Sequence, residues 1–272
     1  MSATEARSLR AKARPDVVAE LRDRLQRYYV RYYRDTLGLP DWPAHAVGRG
    51  AEEEKDDERV ARLQGILGLF TGRSLLNVGC GTGGFNVAAA RAGARSVGVD
   101  ESVEAVGICD LKRALGSGGS YAPATAEHLP FRDASFDLVT CISTVEHVDN
   151  VAASLREMVR VLKPGGALFV YAPSGWALHE KHYKLRWLPW FPRPLAKVYL
   201  RLKGRPTGFV ETLNPLSVHR CRRILVAAGA QVDELTFSEE DARAPGLKGA
   251  VLRAYGRVFK PYIALVARKP AA

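Results

Sequence analysis

Residues 74–84 read SLLNVGCGTGG, from Ser74 to Gly84, and they decide the fold. A short β-rich run enters a loop with glycine at 79, 81, 83 and 84, and the stretch from Gly84 to Ala92 then has helical character. Glycines let the backbone turn tightly and leave no Cβ in a ligand's way, while the helix N-terminus offers free N–H groups. Such a loop seats a cofactor. Gly79, Gly81 and Gly84 also satisfy the GxGxxG spacing of dinucleotide-binding folds. Asp100, which ends the next β-rich run, is the acceptor expected for two ribose hydroxyls in either case.

Outward from this unit the alternation continues. Strands are expected at Ser74–Val78, Ser96–Asp100, Ser120–Ala124, Phe136–Ile142, Ala167–Ala172, Val232–Phe237 and Tyr262–Ala267. Helices are expected at Gly84–Ala92, Glu104–Leu115, Val151–Leu162 and Ser217–Ala228. This pattern predicts an α/β, Rossmann-like, doubly wound sheet of seven strands, mostly parallel with one antiparallel strand. Ahead of it, Val18, Leu21, Leu25, Tyr28, Tyr29 and Tyr32 recur at helical spacing until Gly38 and Pro40 end the pattern. A second helix is expected from Glu53 to Leu69. Residues 1–70 then form an N-terminal helical cap, and residues 71–272 a cofactor-binding domain with an insertion at about 176–216. The acidic run Glu52–Glu58 reads as a solvated helix start.

The net charge of +11 admits nucleic acid, an anionic membrane surface or a phosphorylated substrate. One concentration of charge is Arg22, Arg24, Arg27, Arg31 and Arg34, and Trp176–Pro206 holds eight Lys or Arg against the single acid Glu180. Cys80, Cys109, Cys141 and Cys221 contain no CxxC pair, so neither a metal centre nor a disulfide framework is expected. With no apolar run of membrane-span length and no secretory start, the expected location is cytoplasmic, with peripheral attachment to the inner membrane face as an option.

The later motifs separate the cofactor classes. AEHLPFRDASFDLV (126–139), ISTVEHV (142–148) and LREMVRVLKPGG (155–166) follow in order. With the glycine loop and VGVDES (97–102), they resemble the class I S-adenosylmethionine-dependent methyltransferases from about Leu75 to Ala172. The resemblance implies S-adenosylmethionine as cofactor and S-adenosylhomocysteine as product. It implies that Gly79, Cys80, Gly81 and Gly83 lie against the cofactor's methionine and ribose, and that Asp100, with Glu101 beside it, holds the ribose hydroxyls. Thr125, Ala126 and Glu127 fall at the adenine edge, and Ser143 falls where sulfonium and acceptor meet. Asn77 and Thr125 stand where the family commonly has acids. An amide at Asn77 would orient the cofactor's amino group directly or through water.

Methyl transfer to a hydroxyl wants a base, and His147 and His182 are the candidates, with His179 a further one. The insertion WALHEKHYKLRWLPWFPRPLAKVYLRLKGRPTGFVETLNPLS is expected to cover the carboxyl ends of the strands and to shape the acceptor pocket. Its helix, starting near Pro194, sets Leu195, Val198, Tyr199 and Leu202 against Lys197 and Arg201. That face is expected either to pack on the domain or to meet an anionic membrane. The EHV run and the insertion loosely resemble the ubiquinone-pathway O-methyltransferases, so a small-molecule, glycan or lipid-linked acceptor is expected. Nucleic acid is disfavoured because no RNA-binding module is recognisable. A non-catalytic partner of the same fold and a nicotinamide oxidoreductase are the competing readings, and the latter does not explain AEHLPF with LKPGG.

Overall fold

Strand β1 (Ser74–Val78) lies third in a seven-stranded sheet of order β3-β2-β1-β4-β5-β9-β8 in a computed structural model that describes residues 15–49, 52–188, 190–235 and 246–271. The other strands are β2 (Arg95–Asp100), β3 (Ser120–Pro123), β4 (Phe136–Ile142), β5 (Leu162–Pro173), β8 (Gln231–Glu234) and β9 (Tyr262–Arg268). Only β9 runs against the rest of this sheet, pairing antiparallel with both β5 and β8. The sheet is the expected one. FDLVTCI in β4 has no regular polar alternation because it is covered on both faces.

The chain leaves β1 for β2 and β3 on one side, then crosses to β4 on the other. That reversal opens a crevice at the carboxyl ends of β1 and β4, where ligands bind in open α/β sheets. One sheet face is covered by α6 (Val151–Val161) and α8 (Val218–Ala227), through Leu155, Met158, Val159, Cys221 and Leu225. The opposite face is covered by α3 (Glu52–Leu67) and α4 (Gly84–Arg91), through Val60, Leu63, Leu67, Phe85 and Ala88. Thus α3, expected as part of the cap, packs on the sheet. Its first turn is also not a solvated start, because Glu52 and Asp56 are 6% and 8% exposed. The run reads as charged, yet its i, i+4 pair points inward.

Two other boundaries moved. Strand β5 begins at Leu162 because Pro164-Gly165-Gly166, expected as a turn, runs within the strand across a register shift, and Gly165 and Gly166 pair with Lys269. Strand β8 ends at Glu234, and the expected Phe237 lies outside the described residues.

Helix α1 (Pro15–Val30) continues as a π-helical turn over Arg31–Thr36, and α2 (Trp42–Gly48) follows. Together they share a separate core with the insertion. Tyr29, Tyr33, Leu37 and Leu39 pack with Tyr183, Ala196, Leu200 and Val210, and Trp187, Phe191 and Phe209 border them. Cap and insertion therefore form one roof over the crevice. Within the insertion, β6 (His179–Glu180) and β7 (Leu185–Arg186) make a short hairpin, and α7 (Arg193–Leu202) follows. Helix α7 inserts Ala196 and Leu200, whereas Leu195, Val198 and Leu202 face solvent. Their i, i+3, i+7 spacing puts them on the helix side away from that inward pair. No helix among the described residues is long and apolar enough to cross a membrane.

Candidate active site

A cavity of about 950 Å³ fills the crevice beneath the roof, and the glycine loop forms its floor. Gly79, Gly81 and Gly83 all have positive φ, at +75°, +52° and +82°. A Cβ on Gly79 would meet Thr144 Oγ1 at 2.0 Å, so strand β1 and the turn after β4 touch there without room for a methyl group. A Cβ on Gly81 would meet nothing within 4 Å. Gly81 is the open side of the cradle. Gly83 caps α4 just behind the cavity wall.

Asp100 ends β2 at the rim, where its Oδ2 accepts the Gly81 N–H at 2.8 Å and its Oδ1 accepts the Ser102 N–H at 2.9 Å. Each carboxylate oxygen keeps a lone pair toward the cavity, so two hydroxyl donors can be met. Asn77, Cys80, Glu101, Thr125, Ala126, Glu127 and Ser143 also line the space. Glu127 Oε1 accepts the Asn150 N–H at 3.0 Å, tying the loop after β3 to the start of α6. The Asn77 amide donates to Asn86 and accepts from Thr140 Oγ1, at 2.9 and 3.0 Å. Asn77 thus links β1 to α4 and β4, which a buried amide can do and a carboxylate, acceptor-only, cannot. Burial and the neighbouring Asp100, Asp149 and Glu127 push the Glu101 carboxyl above its ordinary range.

The far end of the cavity carries the histidines. His147 follows β4 and His182 comes from the β6–β7 hairpin, with ring centroids 5.2 Å apart. Phe209 lies 5.2 Å from the first ring and 5.0 Å from the second. Burial, and then the neighbouring His182, push the His147 imidazole down to about 4, so this ring is neutral near pH 7. Glu180 Oε1 lies 2.7 Å from His182 Nδ1, while Glu180 Oε2 accepts the Tyr183 N–H at 2.5 Å. His179, on the same hairpin, is exposed and lies outside the cavity lining.

Behind His147 stands Glu146, 1% exposed and without a hydrogen-bond partner for either oxygen among the described residues. Burial pushes its carboxyl up to about 7. Glu180 carried a sequence signal as the single acid of a basic stretch, and Glu146 adjoins a histidine already singled out. Neither position says alone that the fold would bury it beside two imidazoles.

Tyr28, Tyr29, Tyr32 and Arg49 of the cap also line the cavity, a contribution that helical spacing cannot reveal. Tyr29 Oη lies 2.7 Å from Glu52 Oε2 and 2.6 Å from Thr82 Oγ1. Thr82 Oγ1 is 2.9 Å from Glu52 Oε1, and Lys112 Nζ pairs with the same carboxylate. The buried ion pair joins α3 to α5 (Val103–Ala114), and the Tyr29 hydroxyl ties the cap both to that carboxylate and to Thr82 of the glycine loop. Burial alone would raise the Glu52 carboxyl, but Lys112 and the hydroxyl donors outweigh it and hold the group below its ordinary range.

These features fit S-adenosylmethionine. The cradle at Gly81 is open, Asp100 supplies paired acceptors, and the cavity exceeds what one nucleoside fills. The comparisons with known proteins agree. Residues 76–170 match the family model described as a methyltransferase domain. The chain is 36% identical over 141 residues to the ubiquinone biosynthesis O-methyltransferase of Sodalis glossinidius (strain morsitans), covering 47% of this chain and 56% of that protein. It is 34% identical over 166 residues to the protein of the same name from Rhizobium etli, covering 54% and 66%. The chain thus spans little more than half the length of the first of these relatives. In fold it is similar to an S-adenosylmethionine-dependent methyltransferase from Mesorhizobium loti, with a TM-score of 0.53, 22% identity, and 77% and 96% of the two chains covered. The order of motifs, the open cradle under Asp100 and these likenesses agree: residues 76–170 form a methyltransferase domain, and the chain is similar to the class I S-adenosylmethionine-dependent methyltransferases.

Proposed function

We propose that the protein transfers the methyl group of S-adenosylmethionine to a hydroxyl oxygen of a small acceptor held between the glycine loop and the roof. The observation that carries this reading is the Glu180–His182 pair, whose imidazole lines the same cavity as the cofactor cradle while the buried carboxylate holds it from behind. When bound, the cofactor supplies an electrophilic methyl group on a sulfonium. In-line displacement by an oxygen needs alignment, exclusion of water and a place for the hydroxyl proton. Asp100 and the loop glycines fix the cofactor's ribose and backbone contacts. Phe209 and Tyr32, whose rings meet edge to face, cover the acceptor end. The Glu180 carboxylate, an acceptor only, keeps a proton on Nδ1 of His182 and leaves Nε2 as the base. His147, neutral beside it, avoids placing a second positive charge there.

The curated relatives named for ubiquinone biosynthesis support a phenolic acceptor on a lipid tail. The test is incubation with methyl-labelled S-adenosylmethionine and a panel of short-chain prenylated catechols, simple catechols, glycans and transfer RNA. Labelled product from the phenolic arm supports the reading. Labelled RNA alone overturns it.

A membrane-facing roof is supported by a specific feature. Leu195, Val198 and Leu202 of α7 form an exposed apolar stripe, with Leu202 80% exposed, and exposed Leu188, Arg201 and Lys203 lie in the same segment. Apolar and cationic side chains on one amphipathic segment suit an anionic lipid surface. Co-sedimentation with phosphatidylglycerol vesicles should be lost in Leu195→Glu combined with Leu202→Glu. Unchanged sedimentation removes this part of the reading.

A further inference from the structure

We propose that Glu146, His147 and His182 bind one divalent transition-metal cation at the acceptor end of the cavity. One ligand atom from each lies within 4.8 Å of the others. Ligands about 2.0–2.2 Å from a common ion stand roughly 3–4.4 Å apart, so small side-chain rotations complete the site.

An independent observation points to a ligand. Glu146 is buried, and neither carboxylate oxygen has a hydrogen-bond partner among the described residues. A buried carboxylate left bare is costly, and an absent ion is one of the few explanations for such a group. The surrounding contacts have the arrangement of a metal site's outer layer. Glu180 holds Nδ1 of His182, which leaves Nε2 for the ion, and His147 Nδ1 lies 3.3 Å from Thr212 Oγ1. Carboxylate–histidine–metal relays of this kind fix the tautomer and strengthen the ligand.

Two imidazoles and one carboxylate suit Zn²⁺, Co²⁺, Fe²⁺ or Mn²⁺ better than Mg²⁺ or Ca²⁺. Three protein ligands leave a position open, and an acceptor hydroxyl entering it is acidified as a bound water is. The inference rests on the methyl-transfer reading and alters one part of it. With the ion bound, Nε2 of His182 is a ligand, and the coordinated acceptor O–H gives its proton to solvent water. The oxygen's electron pair then forms the O–CH₃ bond as the C–S bond breaks, its electrons remaining on sulfur in the neutral thioether. Because His147 belongs to the core and His182 to the roof, the ion also fastens the roof over the site.

The test uses untagged, chelator-treated protein titrated with CoCl₂, and S-adenosylhomocysteine affinity is measured on the same preparation. One equivalent of Co²⁺ should bind with ligand-field absorption, and ZnCl₂ should bleach it. Glu146→Gln and His182→Ala should abolish the band, and Glu180→Gln should weaken Co²⁺ binding roughly 10–100-fold. All three should bind S-adenosylhomocysteine as the parent does, which shows that they are folded. A parent that binds S-adenosylhomocysteine but gives no stoichiometric Co²⁺ band overturns the metal site and leaves the His182 base in place. Variants that keep the parent's band also overturn it. Failure of the parent to bind S-adenosylhomocysteine would instead strike the functional reading beneath.

Discussion

Oε1 of Glu180 lies 2.7 Å from Nδ1 of His182, and both residues belong to one short hairpin of the insertion. The carboxylate is buried, so it can act on little besides that ring and the Tyr183 N–H. It therefore sets which nitrogen of His182 faces the cavity. Glu180→Gln should lower turnover by about 10²–10⁴-fold, the usual worth of a positioned proton-transfer group, while leaving S-adenosylhomocysteine affinity intact. Single-turnover kinetics with an acceptor from the catechol panel measures the first, and calorimetry the second.

The loop glycines should separate by mechanism. Gly79→Ala puts a methyl group 2.0 Å from Thr144 Oγ1 and should lower the melting temperature clearly. Gly81→Ala meets no protein atom within 4 Å. It pays only about 1–2 kcal/mol of left-handed strain, yet its methyl group stands in the cradle. The second variant should stay folded and lose cofactor binding. Thermal melts alongside titration distinguish the two.

The Glu52–Lys112 pair joins α3 to α5, and Tyr29 of the cap donates to the same carboxylate. Both side chains are almost wholly buried, and removing one partner leaves an uncompensated charge. Lys112→Met should cost about 3–5 kcal/mol in denaturant unfolding, and adding Glu52→Gln should recover part of it. With Glu52→Gln measured alone as well, a double-variant loss equal to the sum of the two single losses would mean that the pair is not coupled.

Away from the site, Asp137 Oδ2 accepts from the backbone N–H and hydroxyl of Ser74, and Oδ1 accepts from Lys163. Burial opposes ionisation, but these donors outweigh it and hold the carboxyl at about 2. A carboxyl depressed in the folded state stabilises above its unfolded value, near 4, and loses that contribution as pH falls toward 2. The melting temperature should decline over that window, and the decline should be shallower in Asp137→Asn. Parallel curves would contradict the assignment.

Much of this fold is legible in the sequence, and the limits have physical causes. SLLNV and FDLVTCI are strands by local composition, and the glycine loop demands its conformation of whichever fold contains it. The open face of Gly81 and the place of Asp100 at the end of β2, against the loop, follow from the same local grammar. The roof does not, because its core joins Tyr29 and Tyr33 to Tyr183 and Leu200, far apart in sequence. Glu52 and Asp56 misled for the same reason. A charge run is solvated unless a partner such as Lys112 comes from the fold. On α7 the apolar spacing was visible, but which stripe faces inward depends on Ala196, whose small side chain fits close against the cap.

The most direct test of the central claim is calorimetric titration of the purified protein with S-adenosylhomocysteine beside NADH, repeated on Asp100→Asn. S-adenosylhomocysteine alone should bind, and the variant should bind it about 1.5–3 kcal/mol more weakly, a loss of roughly tenfold to a hundredfold. Binding of NADH alone, or equal affinity in the variant, would contradict the cofactor site described above.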